Sequence, residues 1–459
     1  MSAPQSLNLP ANRVSFVEML GHTVANITPS AMATVTLSLV VAEGGLLTWA
    51  VYLAVGFLML LVAAQVAVLA REVPAAGSLF VSVSRTLHPL AGVLTGWSMA
   101  GGYLGALLAA PIVGGLFVAK ALHVVGVSVA WPLVAVVFAG LAWALTVRDV
   151  ERATRYSLLI EAASLLVILV IGVVTLAHTG IHDSAQWHAP FHAGPFLQAM
   201  TLSILAYGGF ETAANFGREG VSPRRDVPLA ILAAVLLCAA FYVFMAYAEM
   251  AGFANDATRL AHTEAPLSAL ATSEGFSTLA VLSDLAMAIA ALSATIATLN
   301  SLGRLFYSMG RHKVLPAALG EIGRHKTPAR ALHILGALTT GFAVLAGVMG
   351  WSPLAIVNLF GVFTALGFIV IYVLAMIAVP VFRHRRGLAP SWTATLALVT
   401  AVPLLLYVFG ENFWAGSGVT LIAAYGFIAY LLLGAQLYRV WRRRSAGGLG
   451  DFVLARDDD

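Results

Sequence analysis

Apolar runs of about twenty residues or more recur from one end of this 459-residue chain to the other. At a rise of 1.5 Å per residue, each is long enough to cross the roughly 30 Å hydrocarbon core of a bilayer as a helix. They fall near 15–41, 46–70, 91–121, 127–147, 156–178, 195–217, 227–252, 276–309, 330–349, 353–380, 391–410 and 414–440. No soluble core could hide so much apolar surface: 60% of the residues are hydrophobic and only 10% are charged. The expected fold is therefore an all-α integral membrane protein with about twelve transmembrane helices.

The charge pattern sets the expected topology. A net charge of +4 invites a nucleic-acid reading, but the basic residues sit in short loops between apolar runs and form no patch. With the N-terminus inside, every Lys and Arg except Lys120 and Arg259 falls on the cytoplasmic side. That bias predicts cytoplasmic tails at 1–14 and 441–459, and an odd number of spans would destroy it. The lone Cys238 excludes an intramolecular disulfide. No charged segment followed by a short apolar core opens the chain, so no cleaved signal is expected. Short loops throughout suit a bacterial inner-membrane protein.

The stretch 202–228, LSILAYGGFETAANFGREGVSPRRDVP, interrupts the sixth run. Gly208 and Gly209 sit together in its middle and Glu211 follows. Glycine lowers helix propensity by about 1 kcal/mol per residue, and an intramembrane carboxylate costs at least roughly 2.5 kcal/mol, so this combination reads as a site. The first run, VEMLGHTVANITPSAMATVTL, is interrupted at Asn26, Thr28 and Pro29. Five spans separate the two interruptions, which places them at equivalent positions of two halves of opposite orientation. Paired broken helices of this kind point to the midplane site of a secondary transporter. The expected domains are a transport core at 15–380, with inverted repeats near 15–178 and 195–380, and two trailing helices at 391–440.

Three blocks carry a resemblance. EVPAAGSLFVSVSRTLHPLAGVLTGW (72–97), FETAANFGREGVSPRRDVPLAI (210–231) and LNSLGRLFYSMGRHKVLPAALGEIGRHKTPARA (299–331) resemble, in order and spacing, signatures of the amino acid, polyamine and organocation permeases. The hydropathy fits that family over roughly 13–442. The resemblance implies a LeuT-like 5+5 inverted repeat plus two trailing helices, alternating access, and coupling to a proton (sodium in some relatives) or exchange. It implies a small-molecule substrate, an amino acid or related amine. The two breaks are expected to hold it through Ala25, Asn26, Ile27, Thr28, Ser30, Tyr207, Gly208, Gly209 and Phe210; Tyr103 in the third span is placed to face the site with its hydroxyl, although the Gly101, Gly102 and Gly105 cluster around it more safely indicates close helix packing. The chain departs from the family where amino acid permeases carry a Gly-Ser/Thr-Gly triplet: here the stretch is Ala25-Asn26-Ile27-Thr28-Pro29-Ser30. Proline removes an amide donor, which leaves a polyamine or other organic cation as the alternative substrate.

Glu211 is the expected coupling residue, as proton carrier or amine partner, and Tyr207 and Phe210 fit either a gate or plain packing. Glu161 in the fifth span fits a coupling role less well than an interfacial pairing with a cytoplasmic-side group. Ser164, Ser293 and Thr295 offer hydroxyls for a small cation, although such residues also occur in membrane helices as packing. His22 titrates near neutrality, yet a lone buried histidine is commonly structural. Asp284 and Glu249 lie near the outer ends of their spans and are expected to be solvated. His182, His188 and His192 are too irregularly spaced for a metal site. The loops around Arg85, Arg225 and Arg311 are expected to form the cytoplasmic gate. Neither a cofactor motif nor a catalytic cluster is present, so an enzyme or ATP-driven pump is not expected. A channel or receptor on the same scaffold would favour a continuous polar stripe over polar groups gathered at two breaks.

Overall fold

The computed structural model describes residues 14–72, 78–124, 126–148, 150–181, 184–216, 220–263, 265–312, 314–323, 327–414, 416 and 418–444. Arg13, His182, Arg218, Lys313, Arg324, Lys326, Arg456 and most of both expected tails lie outside the described residues.

Helix α1 (Phe16–Ile27) opens with a capping box, in which the Ser15 hydroxyl accepts from the Glu18 amide and the Glu18 carboxylate accepts from the Ser15 amide. It ends at Thr28, which has φ 53, and α2 (Pro29–Gly44) starts at the next residue. Both events follow from Pro29. Proline disfavours a right-handed helical conformation in the residue before it, and is itself at home in the first turn of a helix. Gly45, with φ 53, ends α2, and a short turn leads into α3 (Thr48–Glu72).

The chain continues through α4 (Ser78–Thr86), α5 (Pro89–Val124), α6 (Trp131–Arg148), α7 (Val150–Thr179), α8 (Ser184–Trp187) and α9 (Ala193–Leu205). After α9 it does not resume an α-helix but passes into a tighter 3-10 stretch, Phe210–Phe216. The second half holds α10 (Pro223–Gly252), the short α11 (Ala257–Ala261) and α12 (Pro266–Ser273), then α13 (Ser277–Arg311), α14 (Ala329–Val348) and α15 (Pro353–Arg385). A short α16 (Trp392–Leu396) runs through a widened turn, Ala397–Ala401, into α17 (Val402–Trp414), and α18 (Val419–Arg444) closes the series.

Ten helical stretches among the described residues are long and apolar enough to cross a membrane. The first, Phe16–Glu72, has 57 residues. At 1.5 Å each these would extend ~85 Å, nearly three hydrocarbon thicknesses, so the chain folds back at Gly45 and crosses twice. The sixth run is absent from the ten because α9 has only 13 residues before the break. With that fold-back and the broken sixth run, the described residues account for twelve crossings.

The most extensive packing joins α3 to α10 and α5 to both α13 and α15. The α5–α15 contact is close because small residues line it: a Cβ on Gly367 would lie 2.8 Å from the Ser98 carbonyl oxygen, and one on Gly105 2.5 Å from the Thr364 hydroxyl. Apolar side chains also cover the outside, as Leu133, Val137 and Leu141 do along one face of α6. That is the surface a helix presents to lipid.

Two expectations fail here. Glu249 is fully buried and Asp284 is 3% exposed, where both were expected to be solvated. The segment after α10 supplies the cover: Leu270 of α12 packs against Gly252, and Ser268 of α12 donates to the Asp284 carboxylate at 3.1 Å.

Candidate functional site

The two interruptions meet. Gly209 has φ 107, and a Cβ there would lie 3.1 Å from the Asn26 carbonyl carbon and oxygen and 3.3 Å from the Ile27 nitrogen. Only glycine tolerates both that backbone conformation and that approach, so the second break lies directly on the backbone of the first. Gly208 is similarly confined, with the Phe368 ring 2.5 Å from where its Cβ would be.

A cavity of about 130 Å³ opens at this junction, and Asn26, Thr28, Tyr103, Gly208, Gly209 and Phe368 are part of its wall. Most of the remaining wall is Ala, Val, Leu and Met from α2, α5, α9, α13 and α15. Among the described residues, no acidic or basic side chain lines it. Its far end is bounded by Leu39 of α2, Val357 and Asn358 of α15 and Asn412 of α17. These positions lie toward the end of α2 near Gly45, the start of α15 and the end of α17, on the side of the bundle opposite the start of α1 and the end of α18.

Glu211 stands behind the wall. It is fully buried, and each carboxylate oxygen accepts a phenolic hydrogen bond, Oε1 from Tyr103 at 2.6 Å and Oε2 from Tyr372 at 3.1 Å. Tyr103 therefore presents its ring to the cavity and its hydroxyl to the carboxylate. Phe368 packs edge-on to Tyr103 and parallel to Tyr372, with centroids at 5.7 and 5.9 Å. Nothing in the sequence around Tyr372 distinguishes it from a packing aromatic. Its spacing from Glu211, 161 residues, leaves no local pattern to read.

Tyr207 and Phe210 flank the second break without lining the cavity, and both are fully buried. Phe210 stacks on Tyr372 at 4.9 Å, and the Tyr207 hydroxyl donates to the Tyr52 carbonyl at 3.1 Å. Two further hydroxyls serve carbonyls released where α9 stops: Tyr242 donates to Ala206 at 2.6 Å and Thr212 to Gly209 at 2.7 Å.

Glu161 corrects an expectation. It is 2% exposed, and its Oε1 accepts from both the Ser30 amide at 3.2 Å and the Ser30 hydroxyl at 2.6 Å. The interfacial pairing does not occur because α7 begins at Val150, so Glu161 lies about three turns inside it, level with the first break. A carboxylate at a helix N-terminus answers both the exposed amides and the helix dipole. Ser30 is thus turned toward α7 and does not line the cavity, whereas Ile27 and Thr28 do. Ala25 is buried in α1, its carbonyl accepting from the Thr28 hydroxyl at 2.8 Å.

His22 is buried one turn before the break, with Nε2 3.1 Å from the side-chain Nδ2 of Asn26 and its ring edge-on to Phe216 at 5.0 Å. Asn26 in turn accepts from the Ser301 hydroxyl of α13 at 3.1 Å. Ser164, Ser293 and Thr295 are all buried but do not converge. Ser164 donates to the Ala286 carbonyl and Thr295 to the Ala291 carbonyl. The two acceptor carbonyls, of Ala286 and Ala291, lie five residues apart on α13, about 7.5 Å along the helix.

Comparisons with known proteins agree with this architecture. A family model described as amino acid permease matches residues 20–440. An uncharacterised transporter of Mycobacterium tuberculosis is 28% identical over 367 residues, covering 78% of each chain. A branched-chain amino acid permease of Bacillus subtilis is 23% identical over 394 residues, with 82% of this chain and 81% of the relative covered. A methylthioribose transporter of the same organism is 24% identical over 400 residues, covering 81% of each.

Proposed function

Since this chain belongs to the amino acid permease family and is an integral membrane transporter, we propose that it moves an amino acid with an apolar side chain by alternating access, taking it up in the cavity where the two breaks meet. The observation that carries this reading is the contact of Gly209 with the Asn26–Ile27 backbone beside a largely apolar cavity. An apolar cavity of about 150 Å³ accommodates a molecule the size of benzene, so one of about 130 Å³ suits a compact aliphatic group.

No acidic side chain lines the cavity among the described residues, which speaks against a polyamine or other strongly cationic ligand. At the N-terminus of α2, Pro29 has no amide hydrogen and Ser30 already gives its own to Glu161. The ligand's carboxylate therefore has fewer amides to use here than at the glycine triplet of related permeases. Affinity then rests more on the apolar group than on the charged ends.

A thermal-shift screen of the purified protein tests the assignment, because ligand that binds only the folded state raises apparent stability. Leucine, valine and isoleucine should stabilise, and diamines and methylthioribose should not. Stabilisation by amines alone would replace the amino acid with an organic cation, and stabilisation by methylthioribose alone would replace it with a neutral thioether sugar. We assign proton coupling to Glu211. Its buried carboxylate has a partner in the cavity wall, Tyr103, through which occupancy can reach it. Glu211→Gln should reach the membrane at normal levels yet lose the pH dependence of uptake, and an unchanged pH profile would remove Glu211 from the coupling.

A further inference from the structure

Three arginines from three separate helix ends converge on the side of the bundle where α1 starts and α18 ends. Arg71 is in the last turn of α3, Arg224 in the first turn of α10, and Arg386 caps the end of α15. Together with Glu72 they line an open recess of about 340 Å³. Glu72 lies 3.7 Å from the Arg386 guanidinium, which also sits over the Phe382 ring at 4.6 Å. Arg71 and Arg224 have no ion-pair partner among the described residues. Among the described residues, three positive charges against one negative leave the lining at +2.

Like charges gathered from three helices repel one another unless something of opposite sign joins them. The neighbouring surface limits what that is. Leu388, two residues past Arg386, is 45% exposed, and Trp392 is 75% exposed at the start of α16, which packs on α3. Exposed tryptophan marks the level of lipid headgroups, and basic pockets between transmembrane helices on one face are suited to anionic headgroups. We propose that this recess binds the phosphate of an anionic phospholipid, with Arg71 and Arg224 as its main ligands and the acyl chains lying on the apolar surface beside Leu388 and Trp392. The assignment does not depend on which substrate the cavity takes.

The test is thermal stabilisation of the full chain in neutral detergent, titrated with short-chain phosphatidylglycerol, with the matching phosphatidylcholine and with inorganic phosphate. Phosphatidylglycerol should stabilise at concentrations where phosphatidylcholine does not, and the effect should weaken as salt rises. At roughly fivefold per basic residue, Arg71→Gln with Arg224→Gln should weaken the response about 25-fold. Glu72→Gln, which removes the opposing charge, should strengthen it a few-fold, a gain that misfolding cannot produce. Equal responses to the two lipids, or no change in either variant, overturns the proposal. Stabilisation by inorganic phosphate equal to that by phosphatidylglycerol also overturns it, making this a free-anion site.

Discussion

The first and second breaks solve one problem by different chemistry. At the first, a single residue leaves the helix: Thr28 turns left-handed and Pro29 restarts α2 at once. At the second, the α-helix ends at Leu205 and the chain reaches Phe216 as turn and 3-10 structure. Proline imposes a break from within, since its ring dictates the preceding conformation and it has no amide hydrogen to satisfy. Glycine only permits one, so the second break depends on outside partners: Tyr242, Tyr103, Tyr372 and the backbone of Asn26. Each break carries one buried carboxylate. Glu211 has both oxygens engaged by tyrosines, whereas Glu161 spends one oxygen on Ser30 and its other oxygen has no hydrogen-bond partner among the described residues. A break held by others can be altered by moving them, and a break held by its own proline cannot.

The sharpest way to break this comparison is Gly209→Leu. The side chain meets the first-break backbone at 3.1 Å and a φ of 107, a combined strain of about 1–3 kcal/mol or more. Uptake should be abolished and the thermal midpoint should fall by several degrees. Normal uptake would show that the two breaks need not touch. Pro29→Ala should have a smaller effect on stability and a large one on transport. It lifts the restriction on Thr28 and lets α1 and α2 fuse, so uptake should drop at least tenfold while the midpoint stays within a few degrees. Retained uptake would mean that Thr28 holds its conformation without the proline. The smallest effect is expected from Ser30→Ala, which removes one hydroxyl donor from Glu161 but leaves the amide, at a cost of about 1 kcal/mol in unfolding measurements.

How much of this was legible in the sequence follows from how local each signal is. The spans are read from hydropathy over about twenty neighbouring residues. Both breaks are read from Pro29 and from Gly208, Gly209 and Glu211, whose costs are intrinsic to the residues themselves. What was not legible is tertiary. Tyr372 and Ser30 reach their carboxylates across 161 and 131 residues, and a tyrosine or serine in an apolar span otherwise looks like packing. Glu249 and Asp284 were misjudged because nothing in the loop sequence announces that α12 folds back over the helix ends. Tyr207 and Phe210 were expected to hold substrate because they adjoin the break, but which way each ring turns is set by Tyr52, Tyr242 and Tyr372, all distant in the chain, and neither lines the cavity.

The start of the described chain carries a practical consequence for anyone engineering this protein. Val14 forms a parallel bridge with Gly220, its carbonyl accepting from the Val221 amide at 3.1 Å. That ties the residue two before α1 to the segment leaving the second break. A change that pulls on Val14 is therefore felt at the second break as well as at the start of α1. By contrast α18 (Val419–Arg444), at the other end of the described chain, packs chiefly on α15, α5 and α17, so a change on its outer face is remote from that link.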